Sequence, residues 1–138
     1  MDRILRFFRT IVIAMGAALG VFLGRPDGLL ITLICFAIVD YVTGVVSAAI
    51  NHKLNSATGF KGIAKKLFMF ALVGVANLID VNALSGTAVL RGAVICFYLA
   101  NEGLSIIENA GEIGLPIPEK LKKLIEQLKE SEENDESK

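Results

Sequence analysis

The chain reads as an all-α integral membrane helical bundle: four transmembrane helices followed by a C-terminal amphipathic helix. Three observations lead there. Of its 138 residues, 54% are hydrophobic, and the mean hydropathy is +0.61. That is too apolar for a soluble domain of this length. Aromatic residues make up only 7%, so the excess comes from Leu, Ile, Val, Ala and Gly, the composition of helices packed in lipid. The apolar residues also fall into four runs separated by short polar segments, with the charges gathered mostly outside the runs.

The first run follows a basic head that carries Arg3, Arg6 and Arg9. It covers 11–24 and ends at Arg25-Pro26-Asp27-Gly28. Its length corresponds to about 21 Å of helix, short of a bilayer crossing. Extending the helix back through Phe7 and Phe8, with Arg9 snorkelling to the headgroups, gives a span over about 8–24. A basic head and short apolar run also fit a cleaved signal peptide. The next run begins so soon afterwards that no mature soluble start fits between them. That second span, about 29–50, is the clearest, and Asp40 is its one charge. About a dozen strongly apolar residues at roughly −0.3 to −0.6 kcal/mol each outweigh the roughly +2.5 to +3.5 kcal/mol of one central carboxylate.

Residues 51–66 are polar and basic, with Lys53, Lys61, Lys65 and Lys66. The third span is expected at about 63–79, its lysines snorkelling, and Asp80-Val81-Asn82 reads as a turn. The fourth, about 84–107, contains Arg91 and is close to break-even for insertion, so it depends on neighbouring helices. A three-span arrangement, with the first or last run lying along the surface, is the competing topology. The N-terminal arginines and the lysine loop belong on the cytoplasmic side. Four spans then place both termini inside and both tight connections outside.

Residues 1–110 thus form the transmembrane domain. Pro116-Ile117-Pro118 interrupts the chain and can start a new helix. Leu121, Leu124, Ile125 and Leu128 then recur at helical spacing, so 111–130 is expected as a cytoplasmic amphipathic helix. Residues 131–138 form an acidic tail expected to be disordered.

Gly16, Gly20 and Gly24 lie four apart in the first run, a spacing that lets two helices approach closely in lipid. They are the expected packing or oligomerisation face, although glycine is common in any transmembrane helix. In the second run Asp40, Thr43, Gly44, Ser47 and Asn51 share one face; in the fourth, Arg91, Tyr98, Glu102 and Ser105 do. Ionisable groups inside a membrane usually face protein or water. The plain reading is a structural Asp40–Arg91 pair, and the sharper one is a polar stripe that becomes wet when protomers assemble. Glu102, Glu108 and Glu112 fit a solvated rim near the inner membrane face.

Catalytic features are missing. No nucleophile lies near the single histidine, His52, and no phosphate loop or metal-ligand cluster is present. Cys35 and Cys96 sit singly in apolar runs and read as small core fillers rather than a disulfide. The chain is not expected to be an enzyme or to need a cofactor. It lacks the continuous basic face of a nucleic-acid binder.

Four motifs in order carry a family resemblance: Asp40-Tyr41-Val42-Thr43-Gly44; Ser56-Ala57-Thr58-Gly59-Phe60-Lys61-Gly62-Ile63-Ala64-Lys65-Lys66; Asn101-Glu102-Gly103-Leu104-Ser105-Ile106-Ile107-Glu108-Asn109-Ala110; and Leu115-Pro116-Ile117-Pro118. Over roughly 28–130 the sequence resembles the toxin-secretion/phage-lysis holin family of phages and prophages from Gram-positive bacteria. The resemblance implies a homo-oligomer in the host bacterial cytoplasmic membrane that forms lesions for host cell lysis, with an endolysin or a toxin as cargo. One departure concerns timing: the second methionine, Met15, lies inside the first apolar run, so a dual translational start has no support. The alternatives are a small oligomeric ion channel or transporter with Asp40 as coupling residue, and a structural membrane subunit whose C-terminal helix docks a partner.

Overall fold

The computed structural model describes residues 1–121 and 123. Four long helices follow one another: α1 (Asp2–Leu23), α2 (Gly28–Ile50), α3 (Ser56–Asn82) and α4 (Val89–Glu112). Each is long and apolar enough to cross a membrane. Among the described residues there is no strand. Of the amphipathic helix expected over 111–130, residues 111–112 instead end α4, 113–118 are not helical and 119–121 are helical; the remainder, apart from residue 123, and the acidic tail lie outside the described residues.

The helix ends follow from local chemistry. Asp27 caps α2, its side chain accepting from Leu30 N at 2.9 Å, and Asn55 caps α3 by accepting from Ala57 N at 2.9 Å. The chain leaves α1 at Gly24, whose φ of 86° and ψ of −176° lie in a region open essentially to glycine alone. The Asp80-Val81-Asn82 segment, expected as a turn, is instead the last turn of α3. The connection to α4 lies at 83–88, where Ser85, Gly86 and Ala88 all take positive φ. Asp80 stays helical because its carboxylate has a task there. It accepts from Leu90 N at 3.1 Å and Arg91 N at 2.7 Å, capping α4 from a neighbouring helix.

The tight α1–α2 and α3–α4 connections meet at one end of the bundle, here the turn end. The α2–α3 loop and the end of α4 form the opposite, lysine end. α2 packs most extensively on α4, α3 rests on α4, and α1 leans mainly on α3. The buried apolar core is small: Leu30, Leu33 and Ala37 of α2, Met69 and Val73 of α3, and Ile95 of α4. Most remaining large apolar side chains face outward, as suits a bundle surrounded by lipid rather than water. Cys35 and Cys96, expected inside, are both exposed. Apolar character does not separate core from surface when the solvent is hydrocarbon.

Candidate functional site

Two polar clusters hold the bundle, one near each end. At the turn end Arg91 of α4 is only 4% exposed. Its Nη1 donates to Asp27 Oδ2 at 2.6 Å, its Nη2 to the Arg25 carbonyl at 2.9 Å, and its Nε to the Leu23 carbonyl at 2.8 Å. Asn77 Nδ2 donates to the Val21 and Phe22 carbonyls at 3.2 and 3.1 Å. The last carbonyls of a helix have no partner within it, and in a membrane water does not supply one cheaply. Arg91 and Asn77 supply those partners to α1. The Arg91 guanidinium, with help from Leu30 N–H, holds the Asp27 carboxyl below its ordinary pKa.

Toward the lysine end, Lys66 of α3 lies between two carboxylates. Its Nζ donates to Asp40 Oδ2 of α2 at 2.7 Å and to Glu102 Oε2 of α4. All three side chains are under 20% exposed. Asp40 lies about 18 Å along α2 from its start, well inside the helix. A polar seam continues from it between α2 and α4. Asn109 Nδ2 donates to Asp40 Oδ1 at 3.1 Å, to the Asp40 carbonyl at 3.2 Å and to Thr43 Oγ1 at 2.9 Å. Ser47, 1% exposed, donates to Glu112 Oε2 at 2.6 Å, and Asn51 donates to the Ser47 carbonyl at 2.9 Å. Among the described residues no buried side-chain nitrogen or oxygen lacks a partner, and no group of His, Cys, Asp and Glu is arranged to hold a metal. Three helices are therefore tied through one lysine inside a region built for lipid.

The sequence pattern of the bacteriophage holin family matches residues 17–130, which takes in every residue of both clusters. The chain belongs to the bacteriophage holin family. Relatives extend the match. An uncharacterised protein of Listeria monocytogenes is 42% identical over 125 residues, covering 91% of this chain and 86% of its own length. An uncharacterised protein of Clostridium perfringens is 37% identical over 128 residues, covering 93% and 97%. A probable holin of Bacillus phage phi105 is 43% identical over 81 residues, 59% of each chain. No solved structure matches. The protein is thus a multi-pass membrane protein of the holin family, and that membership implies a non-enzymatic role.

In this holin the residues singled out from sequence fall into different settings. Arg91 and Asp40 do not pair: Arg91 binds Asp27 at the turn end and Asp40 binds Lys66. Depth explains it, because α4 begins at Val89 rather than near Leu84, which puts Arg91 in its first turn. Asp40, Thr43, Gly44 and Ser47 do share a face, and α4 covers it. A methyl group at Gly44 would come 3.5 Å from Asn109 Nδ2. Gly16 and Gly20 lie on the open face of α1, where an added methyl meets nothing within 4 Å. Gly24 is not on that face. It forms the turn, and a methyl there would meet Asn77 Oδ1 at 2.5 Å and Arg91 Nε at 2.8 Å. Lys53 is exposed in the α2–α3 loop; Lys61 and Lys65, expected in that basic loop, are exposed on the first turns of α3, because that helix begins at Ser56, whereas Lys66 turns inward.

Asp27, Asn77, Asp80 and Asn109 are not among the candidate site residues the sequence offers, and Glu112, which fits a solvated rim by sequence, instead accepts from Ser47. Asp27, directly before an apolar run, carries a visible capping signal. The partners of Asn77 and Asn109 lie more than fifty residues away, and nothing in a single sequence announces them.

Proposed function

We propose that this holin-family protein accumulates in the host cytoplasmic membrane, self-associates and opens lesions through which an endolysin, or in another setting a toxin, leaves the cell. The N-terminus and lysine end face the cytoplasm in this reading, as the basic residues near them require. The observation that carries the proposal is α1. It belongs to the bundle by sequence, yet it has no buried residue and leaves Gly16 and Gly20 open. A glycine-lined helix face without a partner in its own chain suits a contact between protomers.

The second step concerns the α2–α4 seam. Asp40, Thr43 and Ser47 are satisfied inside the protomer by Lys66, Asn109 and Glu112. Lesion formation parts this seam and exchanges those partners for water, so the polar groups form the wet wall of the opening. Asp40→Asn removes one of the two carboxylates on Lys66 and changes the balance between the closed and open seams.

The test is induced expression together with a signal-less endolysin, scored by the time of lysis. Gly20→Leu and Asp40→Asn are each expected to delay lysis severalfold or abolish it. Normal timing in both, at normal membrane levels, would remove both faces from the mechanism. The Lys66 cluster also supports a second reading, an oligomeric ion channel or transporter with Asp40 as the coupling group. Leakage decides between them. A holin lesion releases a folded cytoplasmic enzyme, whereas a channel passes only ions and small solutes.

A further inference from the structure

The groove between α3 and α4 changes character along its length. Toward the lysine end it forms a cavity of about 690 Å³, with Lys61, Lys65, Asn101 and Ser105 on its walls beside the Lys66 cluster. Lys61 and Lys65 are one helical turn apart and exposed. Neither takes part in an ion pair among the described residues. The two carboxylates in the cavity, Asp40 and Glu102, are both engaged with Lys66. Three lysines against two carboxylates leave the cavity with one excess positive charge.

Toward the turn end the groove continues as a second cavity of about 400 Å³, which shares Tyr98 with the first. Its walls are apolar and include Leu72, Val75, Ile79, Ala93 and Phe97. Cationic donors toward the lysine end thus lead into an apolar groove on the flank of the bundle.

We propose that this groove is a binding site for an anionic phospholipid. The phosphate sits at Lys61 and Lys65, and one acyl chain runs past Tyr98 along Phe97 and Leu72. Snorkelling carries the two ammonium groups to headgroup level, and basic pockets between transmembrane helices are known to select anionic headgroups. Free phosphate would satisfy the lysines and leave the apolar half empty. A zwitterionic lipid would fill the apolar half and leave the excess charge unmatched. The site requires only that the four helices lie in a bilayer, so its test is independent of lesion formation.

The experiment is native mass spectrometry of the full chain in a neutral detergent, titrated with phosphatidylglycerol or phosphatidylcholine of equal chain length. Two lysines at a membrane surface correspond to about a 30-fold preference for the anionic lipid. That preference is expected in the unaltered protein and in Lys53→Gln, which changes a loop lysine outside the groove. It is expected to vanish in Lys61→Gln/Lys65→Gln, and Ala93→Phe, which fills the apolar half, is expected to weaken retention of both lipids. Equal retention of the two lipids by the unaltered protein would overturn the proposal. So would a preference that survives the double substitution, or displacement of phosphatidylglycerol by millimolar inorganic phosphate.

Discussion

Replacing the Arg91 guanidinium removes, in one change, the donors to Leu23 O, Arg25 O and the Asp27 carboxylate. Losing a hydrogen bond from a charged donor costs about 1.5–3 kcal/mol, less at the Asp27 carboxylate, which is 46% exposed, and at the exposed Arg25. Arg91→Gln is therefore expected to destabilise the bundle by about 2–3 kcal/mol, measured by denaturant titration in micelles. Arg91→Lys keeps the charge but not the planar fork, so it should fall between the two. The Asp27 carboxyl adds a pH dependence. Its folded pKa is depressed, chiefly by Arg91, so its contribution is fully present above the ordinary carboxylate range near about pH 4 and is lost as pH falls through the depressed value. In Arg91→Gln only the backbone N–H contributions of Leu30 and of Asp27 itself still lower it. The difference in midpoint between pH 7 and pH 3 should therefore be smaller in the variant.

At the scale of the element, α1 is the exception. The other three helices share a core and a polar seam, but α1 is exposed along its length except at Phe22 and Leu23, at its C-terminal end. There the Phe22 ring lies over Gly74 of α3, in the space a side chain at Gly74 would occupy. Asn77, one turn further along α3, holds the neighbouring carbonyls. Gly74→Ala is expected to push Phe22 off and cost about 1–3 kcal/mol, as overpacking does. Phe22→Ala loses the ring contact but makes room. The double variant should therefore cost less than the sum of the singles, and a strictly additive result in micelle denaturation would show that the two residues do not meet.

For the whole molecule, the number and approximate placement of the helices were legible because a bilayer imposes length and hydropathy on each span. The face shared by Asp40, Thr43, Gly44 and Ser47 was legible for the same local reason, helical periodicity. What covers that face was not. Asn109 and Lys66 reach it from other helices, and pairing between helices depends on relative depth. An error of a few residues in where α4 begins moved Arg91 down by about a turn and suggested the wrong partner for Asp40. Cys35 and Cys96 failed differently. A sequence in which both core and surface are apolar contains no hydrophobic signal that separates them. Family membership narrows the activity, while the residues that tie the bundle together follow from geometry.

The single-ended attachment of α1 has a mechanical consequence. A helix of 22 residues is about 33 Å long, and it is fastened at its foot beside the Gly24 turn. It is a lever with its fulcrum in the turn end. A rotation of about 10° there would sweep its far end by roughly 6 Å, more than one helical pitch. Small changes around Arg91, Asn77 and Gly24 are thus magnified across the full thickness of the bilayer.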